Sequence, residues 1–210
     1  MTRAVVCDFG GVLTTPLIES FLEYQKQSGI PFEDIVGAMG QLTERTGKNP
    51  LHELEKGAIT EDEFLTSIEQ EMGGGVSLRE LHQVYFDHLR PNEEMIAFVR
   101  SLRVERGLRS ALLTNNVREW EPKWRSMLPE IDEIFEVVVD SAFVGMRKPD
   151  PRIYEVTVEL LGGGIRLEDC VFIDDIEVNC EAARSLGMAA VQFRSNEQAI
   201  AEVQTLLDGG

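Results

Sequence analysis

The chain has few cysteines and no long apolar stretch. Its three cysteines are Cys7, Cys170 and Cys180, an odd and scattered set that excludes a disulfide framework. The three histidines add no zinc-site spacing. No apolar run approaches the roughly 20 residues that a bilayer crossing needs, and the N-terminus enters an apolar run at Ala4 without the features of a signal peptide. We therefore expect a cytoplasmic protein without a membrane partner.

Positive charge is also scarce. The 20 Lys and Arg residues against 37 Asp and Glu residues give a formal net charge of −17. Because nucleic-acid binding depends on neutralising phosphates with Lys and Arg, we expect no nucleic-acid partner. An acidic chain that handles an anionic substrate must instead concentrate positive charge locally, through a metal or a few placed cations. The sequence does not indicate an oligomeric state.

Five short apolar runs alternate with longer segments of helical periodicity. This alternation predicts an α/β fold, with a parallel sheet covered by helices on both faces. The runs are apolar on successive residues, as expected for strands that are buried on both faces. They are Ala4–Cys7, Ala111–Leu113, Val137–Val139, Val171–Ile173 and Ala189–Phe193.

The gap between the first and second runs is far longer than one crossover helix requires. We interpret residues 16–90 as a helical insertion, and residues 1–15 and 91–210 as the core. With 210 residues, the chain is long enough for one core with such an insertion. The insertion contains four segments with apolar residues at helical spacing: Ile18–Ser28, Phe32–Thr46, Asp62–Met72 and Leu78–His88.

Two of these segments are preceded by a helix-start pattern. Thr60 with Glu63, and Ser77 with Glu80, match the capping box. In that motif a hydroxyl and a carboxylate each satisfy a backbone amide at the helix start. The patterns therefore predict helices that begin just after Thr60 and just after Ser77.

Polar side chains follow four of the five apolar runs. Because parallel strands present their carboxyl ends at the same edge of a sheet, and ligands of open sheets bind there, we expect these side chains to converge. They combine a carboxylate, a hydroxyl, a cation and an acidic pair. In chain order they are Asp8, Thr114, Lys148, Asp174 and Asp175.

The four motifs that carry these residues resemble those of haloacid dehalogenase-like hydrolases, in the same order. They are D-F-G-G-V at 8–12, L-L-T-N-N at 112–116, R-K-P at 147–149 and F-I-D-D at 172–175. The resemblance covers the whole core, and it implies a Rossmann-like core with the insertion as a helical cap. Gly145–Tyr154 and Phe172–Met188 are most similar to the branch that holds the epoxide hydrolase N-terminal phosphatase domain and sugar-1-phosphate phosphatases.

The resemblance implies a Mg²⁺-dependent phosphatase that acts on a small phosphorylated metabolite through an aspartyl-phosphate. Asp8 is then the nucleophile, which divides one difficult step into two easier ones. Mg²⁺ takes oxygen ligands and is expected on Asp8, the Gly10 carbonyl and Asp175. Asp174 is expected to orient a metal-bound water or Lys148.

The same resemblance implies a phosphate-binding set. Thr114 is expected to donate a hydrogen bond to the transferring phosphoryl group, and Lys148 to place a positive charge against its oxygens. Arg147 is the weaker candidate among the cations, and a surface position would explain it. The expected substrate-binding positions are Gly10, Gly11, Thr114, Asn115, Asn116 and Lys148.

Gly10 departs from the family pattern. Most phosphatases of the family have Asp two positions after the nucleophile, where it acts as general acid and base. Three functions therefore stay open: a phosphatase in which another group moves the proton, a 2-haloacid dehalogenase-type hydrolase, and a non-catalytic phosphate-binding protein. A halide leaves without a proton and its displacement needs no metal, so the acidic pair Asp174 and Asp175 favours the phosphatase.

Response-regulator receivers carry similar residues, but their acidic pair comes first in the chain, whereas here it comes last. This order disfavours the receiver class.

The insertion contains three polar candidates near the expected cleft, which are His52, Glu53 and Glu55. A solvent-facing helix surface explains them more simply. The sequence therefore leaves the substrate unidentified.

Overall fold

The computed structural model describes residues 2–209, and a sheet of five parallel strands forms its centre. The strands are β1 (Ala4–Cys7), β2 (Arg109–Thr114), β3 (Val137–Asp140), β4 (Cys170–Asp174) and β5 (Ala189–Gln192). Their order across the sheet is β3-β2-β1-β4-β5. Each predicted apolar run coincides with a strand, which confirms the parallel α/β class; Phe193 lies one residue beyond β5.

Helices cover both faces of this sheet. C-terminal to residue 90 the helices are α6 (Glu93–Val104), α7 (Glu121–Ser126), α8 (Ile131–Ile134), α9 (Ser141–Val144), α10 (Pro151–Leu161), α11 (Glu177–Ser185) and α12 (Asn196–Asp208), with short 3₁₀ helices at Arg118–Trp120 and Leu167–Asp169. Val5 and Cys7 of β1 pack towards α6 and α12, whereas Ala4 and Val6 pack towards α10 and α11. This alternation follows from the two-residue period of a strand. It also places Cys7 in the core.

Five helices lie between β1 and α6, and we refer to them as the α1–α5 segment. They are α1 (Leu17–Ser28), α2 (Phe32–Thr46), α3 (Pro50–Glu55), α4 (Glu61–Glu71) and α5 (Leu81–His88). The segment has its own apolar cluster, which includes the fully buried side chains of Ile68 and Leu78. The sequence pattern did not indicate α3.

The two predicted capping boxes had different outcomes. Thr60 caps α4 and forms the full box with Glu63, as predicted. The prediction at Ser77 was wrong, because α5 begins at Leu81 after Glu80. The Leu78 amide instead donates to Glu69 Oε1 (2.7 Å), so a tertiary contact satisfies the amide and holds the preceding backbone outside the helix.

Two adjacent backbone stretches connect the α1–α5 segment to the sheet. Thr14 pairs with Pro91 in an antiparallel bridge. The Thr15 amide donates to the Arg90 carbonyl (2.8 Å), which extends this pairing. The chain therefore leaves and re-enters the sheet side by side, which places the segment next to the carboxyl end of β1.

Two features of residues 2–209 bear on the cellular setting. Among these residues, no helix combines the length and apolarity that crossing a membrane demands. All three cysteines are buried free thiols.

Candidate active site

The first strand delivers Asp8 to the carboxyl edge of the sheet. β1 is buried along its length, and the Asp8 amide donates to the Ile173 carbonyl of β4 (2.9 Å). Asp8 itself is 7% exposed. Its Oδ1 accepts a hydrogen bond from the Phe9 amide (2.7 Å) and lies 2.8 Å from Lys148 Nζ. These two donors fix the orientation of the carboxylate.

Lys148 connects two of the expected acidic residues. Its side chain is buried, and Nζ lies 2.8 Å from Asp8 Oδ1 and 2.6 Å from Asp174 Oδ2. Asn115 holds the lysine backbone from both sides: its Oδ1 accepts from the Lys148 amide (2.8 Å), and its Nδ2 donates to the Lys148 carbonyl (3.1 Å). The end of β2 thereby positions the ammonium group between the two carboxylates.

Asp174 is held by several donors. Its Oδ1 accepts hydrogen bonds from the Ile176 amide (2.8 Å) and Asn179 Nδ2 (3.0 Å), and its Oδ2 accepts from Lys148. The carboxylate is completely buried. This arrangement suits a group that orients Lys148 rather than one that is free to bind a ligand.

Asp175 lies beside Gly11 and is only half-buried. Gly11 has a φ of +76°, and a Cβ atom there would lie 2.3 Å from Asp175 Oδ2. L side chains rarely adopt such a φ, so glycine is required both by conformation and by the close approach of the carboxylate. Gly11 therefore allows Asp175 to approach the loop that follows β1.

Three carboxylates crowd this edge of the sheet. One carboxylate oxygen from each of Asp8, Asp174 and Asp175 lies within 4.8 Å of the others, an arrangement that could hold a metal ion. Burial raises the pKa of Asp8, with Asp174 and Asp175 adding to the rise while Lys148 opposes it. Burial and Asp174 also raise the pKa of Asp175 to about 6.

The charge balance of this cluster favours a further cation. Burial lowers the pKa of Lys148, but its contacts with Asp174 and Asp8 outweigh this effect and raise the pKa overall, so the lysine is charged. One ammonium group cannot neutralise three carboxylates. Hard oxygen donors with excess negative charge match the ligand preference of Mg²⁺.

The last residue of β2 and the two residues that follow it lie on the wall of a cavity next to this cluster. Thr114, Asn115 and Asn116 all line it, as does Gly10. The Asn116 amide donates to Ser141 Oγ (3.0 Å), so this amide already has a partner within the protein. The predicted site residues thus form two adjoining groups. One is the charged cluster of Asp8, Lys148, Asp174 and Asp175, and the other is this cavity wall.

Arg147 and Glu55 form an ion pair that no local sequence pattern indicates. Arg147 Nε lies 2.5 Å from Glu55 Oε2, and both side chains are largely buried. Ser141 Oγ also donates to the Glu55 carbonyl (2.5 Å). These contacts attach α3 to the core beside the cavity, so Arg147 has an interior partner. Glu55 was the only one of the three polar candidates in this part of the chain to line the cavity.

Asn179 was not anticipated at all. It lies five residues after Asp174 and donates to both of its carboxylate oxygens. A polar residue in the first turn of the helix after β4 was the available signal.

Two of the polar candidates from residues 16–90 lie away from the site. His52 is exposed, and Glu53 pairs with Lys56 (2.5 Å).

The cavity lies between the α1–α5 segment and the carboxyl edge of the sheet, and its volume is about 250 Å³. Most of its wall is apolar. Aromatic side chains contribute from both sides, including Phe21 and Phe64 from the α1–α5 segment and Phe9 and Trp120 from the core. The charged cluster thus adjoins a space that a small molecule can occupy.

Comparison with known proteins places this geometry in a family context. A family model described as haloacid dehalogenase-like hydrolase matches residues 2–187. Phosphatase MT3486 from Mycobacterium tuberculosis is 31% identical over 89% of this chain and 85% of its own length. Bifunctional epoxide hydrolase 2 from Rattus norvegicus is 25% identical over 96% of this chain. The chain spans only 38% of that relative's length, and 19% to 38% of four of the curated relatives that it matches.

A solved structure gives a similar result. The HAD family enzyme BT-2542 from Bacteroides thetaiotaomicron, in complex with magnesium and inorganic phosphate, is 26% identical to this chain. The match has a TM-score of 0.66 and covers 92% of this chain and 95% of that one. A protein of the same fold therefore binds magnesium and phosphate.

Proposed function

This chain belongs to the haloacid dehalogenase-like hydrolase family, and we propose that it is a Mg²⁺-dependent phosphatase acting on a small phosphorylated metabolite. The observation that carries the proposal is the bridge from Asp8 through Lys148 to Asp174, with Asp175 alongside. A buried carboxylate next to a fixed ammonium group and spare acidic oxygens suits attack on a phosphate. The phosphatase name of MT3486 supports the same choice.

In the proposed reaction, Asp8 is the nucleophile. Its carboxylate forms a bond to phosphorus, while the bond from phosphorus to the alcohol oxygen breaks and that oxygen takes the electron pair. Water then attacks phosphorus while the bond from phosphorus to the Asp8 oxygen breaks, which releases inorganic phosphate and restores the carboxylate. The proton that the attacking water loses to solvent balances the one that the alcohol oxygen takes up from it. Lys148 opposes the charge of the phosphoryl oxygens, and Asp174 keeps Lys148 in place.

The other phosphate contacts come from the cavity wall. The Thr114 hydroxyl is the proposed donor to the phosphoryl group, assisted by backbone amides near Gly10 and Asn115. The Gly11 amide already donates to Thr14 Oγ1 (3.0 Å). Asn115 also positions Lys148 through its side chain. Asn116 remains in the proposed set because it lines the cavity, although its amide is bound to Ser141.

We place Mg²⁺ on Asp8, the Gly10 carbonyl and Asp175. When bound, the ion supplies positive charge between a carboxylate and a phosphate that would otherwise repel each other. Asp174 is excluded from this ligand set because its two oxygens already accept from Lys148, Asn179 and a backbone amide.

The proposal includes the organisation of the chain. We assign residues 1–15 and 91–210 to the catalytic core and residues 16–90 to a helical cap. The α1–α5 segment has its own apolar cluster and is joined to the sheet by paired connections, which supports this division. A cytoplasmic setting is proposed on the three free thiols, since such cysteines are typical of a reducing compartment.

The test is hydrolysis of 4-nitrophenyl phosphate with and without Mg²⁺. We expect Mg²⁺-dependent turnover, and we expect Asp175→Ala to raise the Mg²⁺ concentration required. Asp132→Ala is the matched control, because the Asp132 side chain is 89% exposed. Full activity in excess chelator would argue against the proposal. Halide release from 2-haloacids under those conditions would instead support the dehalogenase alternative.

A further inference from the structure

The cavity beside the charged cluster has an unusual balance of side chains for a site that receives phosphates. Gly10, Thr114, Asn115 and Asn116 form the polar end of its wall next to the cluster, and most of the other wall positions are aromatic or aliphatic. The wall therefore provides a large area for apolar contact immediately beyond the place where a phosphoryl group is proposed to bind.

The few ionisable groups on this wall are acidic or neutral. Among residues 2–209, its charged side chains are Glu55 and Glu61, and neither Lys nor Arg lines it. Glu55 is paired with Arg147, and Glu61 Oε1 accepts from Trp120 Nε1 (2.8 Å). Both carboxylates are thus already used within the protein. Within the part of the chain that the structure describes, the wall thus offers no cation to a second anionic group of a ligand.

We infer, on the basis of the phosphatase activity proposed above, that the alcohol half of the substrate is apolar and that this cavity binds it. An apolar cavity of about 150 Å³ in another protein accommodates benzene. A volume of about 250 Å³ therefore corresponds to roughly ten carbon atoms on the same scale. Substrates of this class are phosphate monoesters of an aromatic or medium-chain aliphatic alcohol.

The same wall disfavours polyhydroxylated substrates. A sugar placed here would lose hydrogen bonds to water and find few protein partners in exchange, which is costly for each hydroxyl. A nucleotide or a bisphosphate would bring additional negative charge towards Glu55 and Glu61. A preference for apolar alcohols would thus distinguish this chain from sugar phosphatases, to which part of its sequence is similar.

The experiment measures binding without requiring turnover. In the presence of Mg²⁺, n-alkylphosphonates from ethyl to decyl are titrated by calorimetry, with glucose 1-phosphate as the polar comparison. Each added CH₂ that becomes buried should tighten binding by about fourfold. Hexylphosphonate, with four more CH₂ groups, should then bind on the order of 250-fold more tightly than ethylphosphonate. The gain in affinity should stop near the chain length that fills the cavity.

A cavity-filling variant locates the effect. Leu51 lines the cavity from α3, so Leu51→Trp should weaken binding of the longer phosphonates and move the limit to a shorter chain. Leu22→Trp is the control, because Leu22 lies in α1, is 53% exposed and is not part of the wall. If Leu51→Trp does not fold, the alkylphosphonate series with the wild-type protein still tests the inference.

The outcomes separate this inference from the proposed function. Binding that does not depend on chain length, or tighter binding of glucose 1-phosphate, overturns the inference even if 4-nitrophenyl phosphate is hydrolysed. A steep chain-length dependence without hydrolysis of any phosphate ester would leave an apolar phosphonate site and overturn the phosphatase instead.

Discussion

Gly10 and Gly11 follow the proposed nucleophile directly, yet the backbone makes different demands at the two positions. Gly11 is in the left-handed region, and a Cβ there would collide with Asp175 Oδ2. Gly10 lies outside that region, and its added Cβ would meet only the Leu17 side chain, at 3.0 Å. Position 11 is therefore restricted by structure, whereas position 10 has room for a side chain if Leu17 moves slightly.

The first prediction concerns Gly11. Gly11→Ala should displace Asp175 and raise the Mg²⁺ concentration for half-maximal activity by about 10- to 100-fold, the range seen when support for a metal ligand is lost. A Mg²⁺ titration of 4-nitrophenyl phosphate hydrolysis measures the change. Gly40→Ala in α2 is the control, because a Cβ there meets nothing within 4 Å. An unchanged Mg²⁺ requirement in Gly11→Ala would remove Asp175 from the ligand set.

The second prediction follows from the absence of an acid at Gly10. Without a placed proton donor, the departing oxygen must leave largely unprotonated, so kcat/KM should fall steeply as the leaving-group pKa rises. A series of substituted phenyl phosphates of similar size measures this dependence.

Gly10→Asp tests the same point in the opposite direction. It should accelerate the poorest leaving groups selectively, by up to ~10²–10⁴, the usual contribution of a general acid. A flat series in the wild type, under conditions where chemistry limits kcat/KM, would mean that another residue already supplies the proton.

At the scale of single elements, the strands could be predicted, whereas helix α3 could not. Buried parallel strands are apolar on successive residues, so all five were evident in the sequence. Helix α3 has only six residues, Pro50–Glu55, which is too short for a helical period to stand out. The pattern at Ser77 failed for another reason, since the contact between Glu69 and Leu78 is tertiary and has no local signal.

The third prediction concerns the junction of β3 and α9. Asp140 is buried, and its Oδ1 accepts from the Ala142 amide (3.0 Å) at the start of α9. Burial raises the pKa of Asp140 to about 6, with Glu121 adding to the rise and the Ala142 amide and Arg125 opposing it. The folded-state pKa thus lies above the ordinary value of 3.8. The protonated Asp140 carboxyl therefore stabilises the folded state fully below about pH 4, and this contribution is lost as the pH rises through about 6.

Asp140→Asn isolates this effect, because Asn keeps an acceptor for the helix amide and does not ionise. Between pH 4 and pH 7 the wild type should lose up to roughly 3 kcal/mol of unfolding free energy relative to Asp140→Asn. Urea denaturation at several pH values measures the difference, and Asp132→Asn serves as an exposed control. If the difference in unfolding free energy between the wild type and Asp140→Asn stays constant across this pH range, the pKa of Asp140 is not raised.

At the scale of the whole molecule, the candidate site combines what the sequence indicates with what only folding reveals. Asp8, Thr114 and Asp174 could be predicted because each lies at the end of a recognisable parallel strand. The pairing of Glu55 with Arg147 joins residues 92 positions apart and has no local pattern. The cavity has the same origin, since its wall combines side chains from the α1–α5 segment and the core.

The charge of the molecule explains why the site is arranged around a cation. With a formal net charge of −17, the chain as a whole repels an anionic substrate. The buried ammonium of Lys148 is held between two carboxylates, and Mg²⁺ on Asp175 and Asp8 is proposed to supply the remaining positive charge. Phosphate binding should therefore depend on these two cations rather than on the protein surface.

The most direct test of the account is to trap the phosphorylated side chain of Asp8. Gly10 supplies no base for the water that hydrolyses the aspartyl-phosphate, so the intermediate should accumulate during turnover. Wild-type protein is mixed with Mg²⁺ and 4-nitrophenyl phosphate, quenched rapidly and reduced with borohydride, which converts an acyl phosphate to homoserine. Peptide mass spectrometry should find homoserine at position 8, and none in protein treated without substrate. Continued substrate hydrolysis with unmodified Asp8, or with the modification at another carboxylate, would contradict the proposed mechanism.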